Sequence, residues 1–132
     1  MSSCFGSERK ALTTYVPLLK DLQRGDCFYC GGSLRYPIDR GHNFVLAHSG
    51  CNKDKRGTLA GVRHLEKWVG RNHQHVDKMR SYFDGEGLVY NLKASESVAA
   101  WAYDQTEASG GSVWIAKDVP LEELGCEWRR VL

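Results

Sequence analysis

Asp26-Cys27-Phe28-Tyr29-Cys30-Gly31-Gly32-Ser33 and, after a short interval, His42-Asn43-Phe44-Val45-Leu46-Ala47-His48-Ser49-Gly50-Cys51-Asn52-Lys53-Asp54-Lys55-Arg56 decide the reading of this chain. Cys27-x2-Cys30 and His48-x2-Cys51 are two donor pairs joined by a short segment, the spacing by which a structural Zn²⁺ collects four tetrahedral nitrogen and sulfur ligands. The paired glycines after Cys30 permit the tight backbone turn of a knuckle. The apolar run His42–His48 predicts a short strand, and a helix is predicted to begin at Cys51 or Asn52. Such a start presents backbone N–H groups and the positive end of the helix dipole to thiolate sulfur.

Working outward, the chain has 132 residues, five cysteines, 42% hydrophobic and 26% charged residues, with 18 Lys and Arg against 16 Asp and Glu. These values describe a globular domain with one core. No apolar run approaches the ~18 residues of a membrane-spanning helix, and Met1-Ser2-Ser3-Cys4 has no basic-then-apolar leader pattern, so the expected location is cytoplasmic. An odd cysteine count argues against a disulfide framework and leaves Cys4 and Cys126 as free thiols beside the clustered three.

The near-neutral total hides an asymmetry. Residues 1–75 hold twelve Lys and Arg against six Asp and Glu, and residues 76–132 hold six against ten. The positive charge gathers after Cys51, in Lys53, Lys55, Arg56, Arg63, Lys67 and Arg71, which fits either a polyanion held near the metal pairs or a solvated helix face.

Helical spacing over Glu8–Arg24 predicts a helix bent or divided at Pro17 and stopped near Gly25. Thr58 is the expected N-cap of a helix whose stripe is Leu59, Val62, Leu65 and Val69, flanked by Trp68. Further helices are expected over His73–Phe83 and Ser95–Ala108, the latter with Val98, Trp101, Ala102 and Gln105 on one side. Ser112–Ala116 reads as a strand, Leu121–Leu124 as a helical turn and Trp128–Leu132 as a docking tail. The four tryptophans, Trp68, Trp101, Trp114 and Trp128, are expected in the core. His73-x-His75 reads as a solvated loop.

Cys27-Phe-Tyr-Cys30-Gly-Gly, followed by Gly41-His-Asn43-Phe-Val-Leu-Ala-His48-Ser-Gly-Cys51-Asn52-Lys-Asp-Lys55-Arg56, resembles the HNH endonucleases in their zinc-knuckle branch. The resemblance covers about residues 26–72 and implies an α+β fold, a zinc-stabilised ββα-metal core with flanking helices. It divides the chain into an N-terminal helical segment (1–25), the HNH-like core (26–72) and a helical C-terminal extension with a short strand (73–132). The implied function is metal-dependent hydrolysis of phosphodiester bonds in DNA, with one catalytic Mg²⁺ or Mn²⁺ and a general base. Carried over by resemblance, Asn52 binds the catalytic cation, Asn43 orients the base and the loop between the strands, and Lys53, Lys55 and Arg56 contact phosphates. Cys27, Cys30, His48 and Cys51 hold the structural zinc. The C-terminal extension offers a surface for a protein partner.

The family's Asp-His pair has no counterpart between Cys30 and Asn43, where the sequence reads Gly31-Gly-Ser-Leu-Arg-Tyr-Pro-Ile-Asp-Arg-Gly-His42. Twelve residues are too few for a knuckle turn, a full first strand, a proline-containing loop and the start of the second strand at ~3.3 Å per residue. Tyr36-Pro37-Ile38-Asp39 matches the end of that loop, placing the missing portion between Leu34 and Tyr36. His42 is the nearby imidazole able to stand in for the base, and Asp39 a carboxylate able to reach the cation. The alternative is a catalytically inactive, zinc-stabilised module for nucleic-acid binding or protein interaction.

Overall fold

A computed structural model describes residues 16–34, 38–40, 45–87 and 90–132. The chain combines helices with two small antiparallel sheets, an α+β arrangement. The expected N-terminal helix is described from Val16, and α1 occupies residues 16–22, burying Leu18 and Leu19. It ends where Arg24 and Gly25 take φ of 54° and 74°, with the Gly25 N–H bonded to the Lys20 carbonyl at 2.9 Å. Positive φ at successive residues breaks the helical path, and glycine takes it without a Cβ clash.

Strand β1 (Ile38–Arg40) pairs antiparallel with β2 (Leu46–His48) in the register Ile38↔His48, Asp39↔Ala47, Arg40↔Leu46. Helix α2 (Ser49–Lys55) follows β2 directly. Two expectations are corrected here. The helix begins at Ser49, so Cys51 lies within its first turn, and Ile38–Asp39 belongs to a strand and not to a loop end. With so short an interval after the knuckle, this stretch is the one that reaches alongside β2. The first part of the expected strand, residues 42–44 with His42 and Asn43, lies outside the described residues, as do Cys4 and Tyr36-Pro37.

Helix α3 (Val62–Gln74) is capped by Gly61 and buries His64, Leu65, Trp68, Arg71 and Asn72. Thr58 is therefore not the cap, and the buried stripe is rotated from the expected one so that Trp68 is central. The cause is an extended connection: the Trp114 N–H donates to the Leu59 carbonyl and the Gly61 N–H to the Trp114 carbonyl, both at 2.8 Å. Residues held in this parallel bridge cannot start a helix. A Cβ at Gly61 would lie 2.7 Å from Ile115 Cδ1, so a larger residue there needs the tip of that side chain to move.

Helix α4 (Val76–Gly85) buries Met79 and Phe83 against Leu18, Leu19 and Leu46. Helix α5 (Leu92–Ala108) is capped by Asn91, whose Oδ1 accepts the Ala94 N–H at 2.9 Å. Its inner side is Ala99, Ala100 and Tyr103, not the expected Val98–Trp101 side; Val98 is 68% and Trp101 66% exposed. Two alanines let the helix approach closely, and the Tyr103 hydroxyl donates to the Ala60 carbonyl, which fixes the helix rotation. Three of the four tryptophans are buried and Trp101 is not.

Strand β3 (Ser112–Val113) pairs with β4 (Glu122–Glu123), and a 3-10 turn spans Glu127–Arg130. The expected helical turn at Leu121–Leu124 is thus a strand, since pairing to β3 and the Leu124 N–H bond to the Gly111 carbonyl at 3.1 Å hold it extended. Trp128 is buried, and its Nε1–H donates to Glu107 Oε1 at 2.7 Å. One apolar cluster joins Phe28, Val45, Leu65, Trp68, Tyr103, Val113, Leu124 and Trp128, so the knuckle and the C-terminal third share a core.

Candidate metal centre

The knuckle folds back at residues 26–33, where Asp26 and Ser33 form an antiparallel bridge. The Cys27 N–H donates to the Gly32 carbonyl at 2.8 Å and the Gly31 N–H to the Cys27 carbonyl at 3.0 Å, with Gly31 at φ 76°. This turn places Cys30 beside Cys27, while the junction of β2 and α2 delivers His48 and Cys51 to the same point. The four ligand atoms lie within 4.8 Å of one another. His48 Nδ1 is 3.2 Å from Cys30 Sγ and 4.0 Å from Cys51 Sγ. Around a tetrahedral zinc with ligands at ~2.0–2.3 Å, donor atoms sit roughly 3.5–3.8 Å apart, so these separations bracket what one ion requires. Cys27, Cys30, His48 and Cys51 are positioned to bind a metal ion.

The surroundings prepare the donors. His48 Nε2 donates to the Ser33 carbonyl at 2.8 Å, which fixes the tautomer and leaves Nδ1 as the metal-facing lone pair. The His48 N–H points at Cys27 Sγ and the Gly32 N–H at Cys30 Sγ, both at 3.4 Å. Burial opposes ionisation of Cys27, but backbone donors at Cys30, His48 and Tyr29 outweigh it and hold its thiol below the ordinary range. Cys51 has no such compensation: burial, then the charges of Cys27 and Cys30, push it up to about 12. The Cys51 thiol therefore resists ionisation beside Cys27 unless a cation stands between them. A divalent ion reverses that balance, and its uptake releases protons.

Two supports escaped the sequence reading. Trp114 is 2% exposed and packs on Cys27, Ala47 and Cys51, with its Nε1–H donating to Asp54 Oδ2 at 2.9 Å. Gln23 pairs with the backbone of β2 as another strand would: its Nε2 donates to the Leu46 carbonyl and its Oε1 accepts the Leu46 N–H, each at 2.8 Å. Trp114 was legible as a core residue but not as a wall of this cluster, and nothing local distinguishes Gln23 from any helical glutamine.

The basic residues after Cys51 separate into distinct settings. Lys53, Arg56 and Arg63 are exposed, whereas Lys55 is half-buried and desolvation lowers its pKa. Lys67 donates to the Phe28 carbonyl and lies 4.7 Å from the centre of the Phe28 ring. Arg71 is buried, bonded to Asn72 Oδ1 at 2.9 and 3.2 Å, and burial pushes its pKa down to about 10. Asn52 follows Cys51 on α2 and is half-buried. His73 is on α3, not in a loop, and meets Glu96 Oε1 at 2.6 Å. Cys126 is exposed and unbridged. No helix of the described residues is long and apolar enough to cross a membrane. Comparison with protein-family models, with curated proteins and with solved structures finds no match for this chain.

Proposed function

We propose that this chain is a zinc-stabilised ββα module of the HNH endonuclease type that holds DNA against α2. One observation carries the reading: the β1–β2 hairpin runs straight into a helix whose first turn supplies Cys51 to the metal cluster, with Asn52 next and Lys53 and Arg56 exposed beyond it. Three sulfurs and one imidazole nitrogen are a donor set that zinc favours, and with four protein donors the ion is structural. Lys53 and Arg56 would meet phosphates. Asn52 would hold the catalytic Mg²⁺ or Mn²⁺, which supplies positive charge to the leaving oxygen when bound.

A second reading, a nucleic-acid-binding module without cleavage, is favoured by one observation. The interval between Cys30 and Asn43 contains no Asp-His, and loss of a positioned base costs ~10²–10⁴ in rate. Plasmid nicking with Mg²⁺ or Mn²⁺ separates the two. Cleavage by the native chain that is lost in Asn52→Ala supports the nuclease, and equal cleavage by both removes this site. Salt-dependent binding without nicking, weakened in a Lys53→Gln, Arg56→Gln double variant with a salt slope lower by ~2, supports the second reading. Absence of DNA binding in the native chain removes both.

A further inference from the structure

A cavity of about 230 Å³ opens between α3, α5 and the knuckle, walled by Tyr29, His64, Trp68, Ala102 and Tyr103, with Lys55 at its lining. Its walls are fixed. Tyr29 stands edge-on to His64 and Trp114 at 5.3 and 5.1 Å between ring centres, and Tyr103 is anchored to the Ala60 carbonyl. His64 Nε2 donates to the Ile115 carbonyl at 2.6 Å, leaving Nδ1 as the neutral ring's remaining acceptor, and burial lowers the pKa of the imidazole. Lys55 has no acidic partner among the described residues. An ammonium half-desolvated beside an apolar wall, with no acidic partner among the described residues, is arranged for an anion that arrives with the ligand. Val98 belongs to this lining while largely exposed, so the cavity communicates with the surface of α5 that also carries Trp101.

We propose that this cavity takes one unpaired nucleobase of a DNA strand, with the strand's phosphate on Lys55. A planar ring between aromatic walls, one acceptor for an exocyclic amine and one cation for the phosphate match the chemistry of a nucleotide. The size agrees, since about 150 Å³ already holds a benzene ring. Lys55 is thereby separated from Lys53 and Arg56, which meet the duplex backbone whether or not a base is unpaired. The inference rests on the proposed function only for the identity of the ligand as DNA, and it specifies the substrate as DNA with an unpaired or extrudable base.

Fluorescence anisotropy with labelled oligonucleotides tests it on the metal-loaded chain, using a fully paired duplex, the same duplex with one unpaired base, and a free mononucleotide as competitor. The native chain should prefer the unpaired-base duplex by about ten-fold, within what stacking of one base supplies. Ala102→Leu, which fills the cavity, and Lys55→Gln should each abolish that preference, and Lys55→Arg should retain it. Circular dichroism and metal content identify a misfolded Ala102→Leu, in which case the two Lys55 variants decide. Binding of the paired duplex through Lys53 and Arg56 with no added preference overturns this inference and leaves the proposed function standing. Absence of any DNA binding overturns both. A mononucleotide bound as tightly as the oligonucleotide overturns the assignment to a strand.

Discussion

The knuckle with its ββα unit and the C-terminal third are held together by different physics. Residues 26–33 and 46–55 bury little beyond Cys27, Phe28, Leu46, Ala47, Ser49 and Cys51, and two of their backbone N–H groups, at Gly32 and His48, are aimed at sulfur. Residues 92–132 contain no metal donors in that cluster and are packed by Tyr103, Val113, Leu124 and Trp128. A region ordered by donor geometry depends on one ion, whereas a region ordered by packing spreads its stability over many contacts. Trp114 belongs to both, because it comes from the second region and covers the cysteines of the first.

Removal of the ion is the strongest way to break this comparison. Structural zinc sites contribute on the order of 10 kcal/mol near neutral pH, more than the whole stability of many domains. Chelation or Cys51→Ala should therefore unfold residues 26–33 and detach α2, while α5 and its contacts with Leu65 and Trp68 persist. Hydrogen exchange checks this: amides at Cys27, Gly31 and His48 should lose protection and those around Tyr103 keep it. Uniform loss across both regions would show that they form one cooperative unit. Acid should reproduce the selective loss. The thiols must shed protons to hold the ion, and the Cys51 thiol stands at about 12 without it, so affinity falls as pH falls and rises as pH rises. Metal retention measured from pH 8 to pH 5 should decline throughout.

The next largest effect is expected at Trp114, which with Phe28 joins the two regions. Trp114→Ala removes a side chain 2% exposed and should cost about 3–5 kcal/mol. It should also weaken metal retention, since Cys27 and Cys51 lose their cover and Asp54 its indole donor. Thermal melting and metal release, measured together, would show whether the two losses are coupled. A stability loss with unchanged metal retention would place Trp114 in the C-terminal core alone.

The same contrast explains what the sequence could reveal. Two donor pairs at fixed spacing identify their own partners, because few geometries bring four such atoms together; the cluster was legible without any knowledge of the fold. The helices were legible as elements because their apolar periodicity is local. Their rotation was not. The buried face of α3 is set by the bridge between Ala60 and Trp114, 54 residues apart, and that of α5 by the contact of Tyr103 with Ala60. Glu122–Glu123 is a strand only because β3 lies beside it. Such positions are decided by tertiary partners that override propensity.

A smaller effect tests a support that no pattern announces. Gln23→Ala removes two hydrogen bonds to the Leu46 backbone and one to the Asp26 carbonyl. The Leu46 carbonyl keeps the bond it accepts from the Phe28 N–H at 2.9 Å, but leaving the Leu46 N–H unpaired at a buried site should cost about 1–3 kcal/mol. Gln23→Glu keeps an acceptor for the Leu46 N–H but sets a carboxylate oxygen against the Leu46 and Asp26 carbonyls, so it should cost at least as much as Gln23→Ala. Because β2 carries His48, both variants should also speed metal release, whereas a purely helical role for Gln23 would change melting alone.

The smallest expected effect separates the two exposed and buried kinds of tryptophan most cleanly. Trp101 stands on the same helix as Tyr103 but faces water, so Trp101→Ala should change stability by less than about 0.5 kcal/mol, against several for Trp114→Ala. Helix propensity even favours the alanine slightly. A loss comparable to that of Trp114 would mean that the outer side of α5 is covered in solution, by a second copy or another part of the chain. A neutral result leaves an exposed indole beside the Val98 opening, retained at a position where folding does not require it. If Trp101→Ala then weakens binding of the unpaired-base duplex without shifting the melting temperature, the surface of α5 belongs to recognition and not to the core.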